Sequence, residues 1–228
     1  MNRSEINAAL IWAEGLLKEA KLALPPFANW DLNTWKQNYE KASVIRRTML
    51  GWDITDFGME DFSKVGAVLF TIRNGIVNEP GVGAPYAEKC IVLREGQRLP
   101  CHYHAVKTED IINRGGGMMY MRLFNSNPDG SVDNVNDVEV YIDDMLVRVG
   151  AGEEFLVGTG SSVRLTPGMF HIFGAKEGYG PLIVGEVSSV NDDNTDNYFS
   201  ENVKRFADIV EDEPAYRPLC AEYEVLCK

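Results

Sequence analysis

The sequence has little positive charge and no long apolar run, and both shortages exclude classes of function. Its 228 residues include 22 Lys and Arg against 34 Asp and Glu, which gives a formal net charge of -12 at pH 7. A surface of this sign repels phosphate backbones and anionic lipids, because both need a positive field to bind. The apolar runs are too short to span a bilayer. We therefore expect neither a nucleic-acid partner nor a membrane partner.

Cysteine is scarce as well. The four cysteines stand at positions 90, 101, 220 and 227, and none of them forms a CxxC pair. A cysteine-based zinc site or a disulfide framework requires closer or more regular spacing. Residues 1–5 also lack the basic start, apolar run and small-residue cleavage site of a signal peptide. Reduced thiols and a cytoplasmic location are therefore the expectation.

The two ends of the chain have helical patterns. Apolar residues recur every three or four positions over residues 4–22, which predicts an amphipathic helix that two consecutive prolines end. A short helix is expected around residues 32–41. A last helix is predicted over residues 200–211, where four apolar residues share a face before a proline.

The middle of the chain has short runs of Val, Ile, Phe, Tyr and Met separated by Gly, Asn, Asp and Pro. Many short strands with turn signals between them predict a sandwich or barrel rather than βαβ units. The candidate strands are 67–73, 87–94, 100–104, 109–113, 118–124, 137–142, 145–149, 154–158, 162–166, 169–174 and 181–188. We therefore expect one mainly β domain, with a helical N-terminal extension at 1–65, a barrel at 66–190 and a C-terminal helix and tail at 191–228.

The chain contains only three histidines, and they fall in two short segments. His102 and His104 are two residues apart, so on a strand both side chains point to the same face. Glu109 follows after a stretch long enough to turn back, and His171 opens an apolar strand after a Pro-Gly turn. Three imidazoles and a carboxylate suit Mn, Fe, Co, Ni or Zn. A His-x-His pair alone is more typical of a surface or hydrogen-bonded pair, so the full spacing carries the prediction.

That spacing resembles the first sequence motif of the cupins. Gly96, His102, His104, Glu109 and Gly116 occupy every defined position of the motif. The resemblance implies a six- to eight-stranded antiparallel barrel with a metal ion inside one mouth. The alternative is a cupin whose pocket has lost its metal.

The second cupin motif is met only in part. Gly160 and Gly168 stand eight residues apart, and His171 follows three residues later, as in the motif. Pro167 lies one position late, and Ala175 replaces the usual asparagine. These departures affect turn residues and none of the ligands. They therefore weaken the prediction of the strand register more than the prediction of the metal site.

Charged residues in apolar strands narrow the chemistry. Glu186 interrupts the run 182–187, Lys89 precedes an apolar run, and Lys107 stands two residues before Glu109. A buried charge costs free energy unless it is paired or used, although alternation also allows each of these side chains to point outward. A metal, a carboxylate base and a lysine suit aldose–ketose isomerisation through an enediol. A hydride shift between C1 and C2 fits the same residues.

Over nearly its full length the chain resembles the D-lyxose isomerases, which are cupin enzymes. The resemblance lies in the segments 25–30, 102–110 and 185–199. It implies interconversion of D-lyxose with D-xylulose and of D-mannose with D-fructose, Mn²⁺ as the preferred ion, and a homodimer. The segment 185–199 is also similar to cupin-type phosphomannose isomerases, but the acidic balance favours a small unphosphorylated monosaccharide.

These patterns give a set of candidate residues with assigned roles. The predicted metal ligands are His102, His104, Glu109 and His171. The predicted catalytic residues are Glu186 as base, with Lys107 and Lys89 as acid or oxyanion stabiliser; which lysine faces the ion is open. Trp30 and Asp193 are candidates for sugar contacts, although Trp30 can equally be a core aromatic residue under the N-terminal helix. Two other functions stay open, namely a metal-dependent dioxygenase and a non-catalytic sugar-binding cupin.

Overall fold

The computed structural model describes residues 1–192, 195–200, 203–205 and 208–228. The helices are α1 Arg3–Glu19, α2 Leu32–Asn38, α3 Ser43–Arg47 and α4 Tyr223–Leu226, with 3-10 turns at Pro26–Asn29 and Cys220–Glu222. None of the helices in this part of the chain is long and apolar enough to cross a membrane.

Strands make up most of the regular structure between the terminal helices. They are β1 Gly51–Thr55, β2 Ala67–Gly75, β3 Gly83–Leu93, β4 His102–Tyr103, β5 Glu109–Gly116, β6 Met119–Ser126, β7 Val132–Asp133, β8 Val138–Ile142, β9 Met145–Val149, β10 Phe155–Val157, β11 Ser162–Leu165, β12 Phe170–Ala175, β13 Leu182–Ser188 and β14 Tyr198–Phe199. Every predicted strand overlaps one of these, and the boundaries differ by a few residues.

The described strands form two antiparallel sheets. One has eight strands in the order β1-β2-β3-β13-β5-β11-β8-β9, and the other has five of its strands in the order β10-β6-β12-β4-β14, with β7 paired to β6. Apolar side chains from both sheets meet in one core, for example Leu69, Ile91 and Val184 from the first sheet and Met121 and Phe173 from the second. This arrangement confirms the predicted cupin-type antiparallel barrel.

Helix α1 covers the outer face of the eight-stranded sheet. Ile6 and Leu10 are fully buried against Val68 and Phe70 of β2. The helix ends at Glu19, because the next turn closes a Schellman motif in which the N–H of residue 22 bonds the carbonyl of residue 17. The motif, and not the later proline pair, sets the end of the helix three residues before the predicted one.

Two predicted elements differ from the structure. Residues 51–55, expected in a helical extension, form β1 and pair with β2. The described residues of the predicted helix 200–211 are not helical: Val210 bridges to Asn2 instead. The physical reason is that this tail bonds to α1, with Glu211 paired to Arg3. The short helix α4 closes the C-terminus.

Candidate metal centre

The six-stranded sheet brings the histidines together. His171 on β12 is the cross-strand partner of His102 on β4, and their Nε2 atoms lie 3.1 Å apart. His104 follows directly after β4, and its ring centroid lies 5.7 Å from that of His171. One ligand nitrogen from each of the three rings lies within 4.8 Å of the others, and all three residues are buried. The structure therefore assembles the predicted histidine group.

Each imidazole has its Nδ1 next to a backbone carbonyl oxygen. For His102 and His171 the carbonyl belongs to the residue two positions earlier, at 2.9 and 3.1 Å. For His104 it belongs to Asp196, at 2.6 Å. Since a carbonyl only accepts, Nδ1 donates its proton in each case, and the lone pair of Nε2 is free to face the centre. This tautomer is the one that ligates a metal through Nε2.

Burial keeps the imidazoles of His102 and His171 neutral. It lowers the pKa of His171 to about 4, although the Glu109 carboxylate opposes the shift. Burial, together with the other two imidazoles, lowers the pKa of His102 well below its ordinary value. Both rings are therefore deprotonated at neutral pH, as a metal ligand must be.

Glu109 comes from the opposite sheet, where it opens β5. Its Oε1 lies 3.5 Å from Nε2 of His104 and 3.4 Å from Nε2 of His171. Burial disfavours its ionised form, but the Lys107 ammonium and the His104 ring outweigh burial and hold the pKa of Glu109 well below its ordinary value. A carboxylate thus faces the imidazole group at the position predicted for a fourth ligand.

The donor set fits a divalent ion. Two nitrogens bound at about 2.1 Å and about 90° to each other would be about 3 Å apart. The 3.1 Å between the Nε2 atoms of His102 and His171 matches that spacing. Three imidazoles and a carboxylate are donors that Mn, Fe, Co, Ni and Zn share, so the donors do not select among these ions.

Beside the imidazoles lies a buried network of charged side chains. Lys107 Nζ contacts Oε2 of Glu109 at 2.7 Å and Oε1 of Glu186 at 2.9 Å. Lys89 is the cross-strand partner of Glu186, and its Nζ lies 3.4 Å from the same Oε1. All four side chains are at most 7% exposed. The charges predicted in the apolar strands therefore point into the barrel, and Lys107 is the lysine that contacts the candidate ligand Glu109.

These residues line a cavity of about 40 Å³. Its lining includes the charged network, His102 and His104, and also the apolar residues Phe57, Leu99, Phe173 and Phe199. Arg205, which pairs with a buried aspartate at 2.8 Å, lies between this cavity and a second one of about 200 Å³. The metal centre thus opens on a space with both hydroxyl-binding and apolar surfaces.

One predicted substrate residue, Trp30, is not in this lining. The Trp30 ring packs edge-on against Trp35 at 5.1 Å and against Phe27 at 6.4 Å. Trp30 is half-buried and packs against the aromatic cluster beside α2, so its contacts there are packing contacts. Asp193 lies outside the described residues.

Sequence reasoning missed several residues of the site. Asn191 accepts a hydrogen bond from Lys107 Nζ at 3.1 Å, and Phe199 lies 5.5 Å from the His102 ring. Arg205 and Asp196 also reach the centre. All four follow Glu186 in a polar stretch whose only signal was its polarity next to an apolar strand.

Comparisons with known proteins identify the family of this chain. A profile of the D-lyxose isomerase family matches residues 1–223. A D-lyxose/D-mannose isomerase of Escherichia coli O157:H7 is 40% identical over 224 residues, which cover 98% of each chain. Its namesake from Serratia proteamaculans is 39% identical over 225 residues, with the same coverage.

Solved structures share the fold. An L-ribose isomerase of Acinetobacter sp. DL28, in complex with L-ribose, superimposes with a TM-score of 0.62 over 92% of this chain and 98% of that chain, at 14% identity. An L-ribose isomerase of Cellulomonas parahominis gives a TM-score of 0.60 at 15% identity, with the same coverage. At this identity the likeness concerns the fold alone. The full-length profile match and the two relatives near 40% identity show more: the chain belongs to the D-lyxose isomerase family, whose members are sugar-isomerising enzymes.

Proposed function

We propose that this protein is a metal-dependent aldose–ketose isomerase that interconverts D-lyxose with D-xylulose and D-mannose with D-fructose. The observation that carries the proposal is the contact of Lys107 with both Glu109 and Glu186, which joins the histidine group to a second carboxylate. The two relatives near 40% identity are both named D-lyxose/D-mannose isomerases, which supports the choice of sugars. A homodimer and a cytoplasmic location stay predictions.

The metal would be held by His102, His104, His171 and Glu109, and Mn²⁺ is the ion we propose. A bound divalent ion supplies Lewis-acid polarisation of the sugar carbonyl and its neighbouring hydroxyl. The imidazoles reach this role already oriented, because their Nδ1 atoms donate to carbonyls.

Glu186 is the proposed base. It is a buried carboxylate outside the histidine group, yet it lines the same cavity. It would take the proton from C2 of the aldose and return it to C1 through an enediol. Its Oε1 already accepts from Lys107, so proton transfer requires the other oxygen or a rearrangement of that contact.

Lys107 and Lys89 are the proposed oxyanion stabilisers. Both ammonium groups are buried, so their attraction to a charge developing on the sugar oxygens is only weakly screened. The Lys107 ammonium, held at the cavity by Glu109 and Glu186, would donate a hydrogen bond to such an oxygen. The apolar residues of the lining would help to exclude water from the reacting carbons.

The proposal is tested by stripping the protein with chelator, restoring Mn²⁺ and assaying ketose formation from D-lyxose and D-mannose. We expect metal-dependent ketose, formed fastest from D-lyxose. Glu186→Gln should keep the metal and lose about 10²–10⁴-fold in turnover, the usual contribution of a general base. Glu139→Gln is the matched control, because Glu139 is an exposed strand residue paired with Arg148.

Two results would contradict the proposal. Metal binding without ketose from either sugar would remove the isomerase function. Turnover of Glu186→Gln above about a tenth of the parent rate would remove Glu186 from the base role, because so small a loss is below the range of general base catalysis.

A further inference from the structure

Residues 195–200 lie against β4 and the loop that follows it, beside the metal centre. Phe199 and Tyr198 on β14 pair with His102 and Tyr103 on β4. The rings of Tyr198 and Tyr103 stack at 5.0 Å. The segment therefore lies against the strand that carries the first histidine.

Asp196 in this segment makes four contacts with the chain around the second histidine. Its Oδ1 accepts from the backbone N–H groups of Ala105 and Val106, at 2.8 and 2.9 Å. Its Oδ2 accepts from the N–H of Lys107, at 2.9 Å. Its carbonyl oxygen lies 2.6 Å from Nδ1 of His104. One residue thus binds three consecutive peptide groups and one imidazole.

The three histidines differ in how their rings are held. His102 and His171 donate to carbonyls only two residues away, so their own strands orient them. His104 donates to a carbonyl 92 residues away. The loop after His104 must also turn so that Lys107 and Glu109 converge on the centre. Asp196, which is remote in the sequence, therefore contacts both the His104 ring and this loop.

We propose that Asp196 is a positioning residue of the metal centre. It fixes the His104 ring through its carbonyl and the 105–107 loop through its carboxylate, and it touches neither the metal nor the sugar. The inference rests on the proposed metal function. Partners that orient a ligand typically change metal affinity by about 10–100-fold when they are removed.

The informative substitution is Asp196→Asn, because it changes the shape of the side chain very little. One carboxylate oxygen becomes an NH₂ group that cannot accept from a peptide N–H. We expect the Kd for Mn²⁺, measured by isothermal titration of the chelator-stripped protein, to rise by about 10–100-fold. Asp129→Asn is the matched control. Asp129 accepts from the N–H of Ser131 at 3.0 Å in an exposed hairpin loop, and its variant should bind Mn²⁺ like the parent.

A second measurement separates positioning from general destabilisation. The chain has three histidines in all, so ¹⁵N-histidine labelling gives few ring-nitrogen resonances to assign. In the metal-free Asp196→Asn protein, the resonances of His104 should shift, while those of His102 and His171 stay in place because their carbonyl partners are local. A variant that merely loosens the fold would move all three. Asp196→Glu, which keeps the charge, is measured in the same way if the asparagine variant does not fold.

The outcomes are distinct. A parent protein that binds no Mn²⁺ refutes the proposed function itself. A parent that binds Mn²⁺ with an Asp196 variant that binds within twofold of it, or whose three histidines shift together, overturns the positioning role alone. Weaker Mn²⁺ binding with a shift confined to His104 supports it.

Discussion

Replacement of Lys107 by methionine should cost more stability than any exposed lysine could. The ammonium lies between Oε2 of Glu109 and Oε1 of Glu186, at 2.7 and 2.9 Å. Both oxygens touch one nitrogen, so they lie within about 5.6 Å of each other, where two negative charges repel by about 3 kcal/mol at an effective dielectric constant of about 20. Removing one partner of a buried ion pair typically costs about 3–5 kcal/mol. We expect Lys107→Met to lower the free energy of unfolding by that amount.

The assay is urea unfolding of the metal-free protein followed by circular dichroism. The matched control is Lys64→Met, since Lys64 is 80% exposed and pairs with Asp61 at 3.3 Å. Such a surface pair contributes about 0–1 kcal/mol. The double variant with Glu186→Gln should recover most of the loss, because only one of the two facing carboxylates then stays charged. Added Mn²⁺ should also reduce the loss, by binding Glu109.

The reasoning fails if Lys107→Met and Lys64→Met unfold at the same urea concentration. Equal midpoints would mean that the two carboxylates are not both ionised around the ammonium. It also fails if the double variant is as unstable as Lys107→Met, because repulsion between the carboxylates would then not be the cause.

Two further predictions concern pH and thiol chemistry. Burial lowers the pKa of His171 from its ordinary 6.5 to about 4. The free energy of unfolding is therefore unaffected by this ring above about pH 6.5, and it falls as the pH drops from there to about 4, because the unfolded chain binds the proton first. The His171 ring alone should therefore cost metal-free protein about 2–3 kcal/mol between pH 7 and pH 4.5 in urea titrations, and His102, whose pKa burial also lowers, adds to this loss. Equal midpoints at the two pH values would contradict buried neutral rings. Burial raises the pKa of Cys90 to about 12, so iodoacetamide at pH 8 should label Cys90 only after unfolding. Labelling of the native protein at the unfolded rate would contradict this.

The imidazole group was predictable because its signal is local. A two-residue spacing fixes a common direction for His102 and His104, and the Pro-Gly turn predicts where the strand of His171 starts. The inward direction of Lys89 and Glu186 was only half predictable. Alternation leaves two faces, and the pairing of β3 with β13 decides between them by placing the two residues opposite each other inside the barrel.

Strand β1 was missed because it has no alternation. All five of its residues are buried, and its one charged side chain, Asp53, is buried only because Arg205 pairs with it from a distant segment. The sequence around Asp53 gives no indication that Arg205 pairs with it. A strand buried on both faces with an ion pair in it does not have the period-two pattern on which the prediction relied.

The prediction of a helix over residues 200–211 was wrong although the sequence has the helical pattern. Its apolar residues have helical spacing, but the described residues of this segment make separate tertiary contacts. Val203 packs against the barrel core and Ile209 against the α1 cluster. The N–H of Lys204 bonds the carbonyl of Phe57, which a helix would have used internally. Contacts with two different cores outweigh a propensity of a few tenths of a kcal/mol per residue.

The charged side chains that the two sheets bring to the site explain why it would stabilise an oxyanion. The imidazoles come from the six-stranded sheet, and burial keeps those of His102 and His171 neutral. The eight-stranded sheet carries Lys89, Glu109 and Glu186, with Lys107 just before β5. The two lysines balance the two glutamates, and the arginine of the lining is already paired with an aspartate. A divalent ion would therefore leave the centre positive, although the whole chain has a formal charge of -12. The positive centre would stabilise negative charge that develops on a neutral sugar inside the cavity. The negative charge of the whole chain would repel a phosphorylated substrate as it approaches. This contrast favours an unphosphorylated sugar and an enediolate-like transition state.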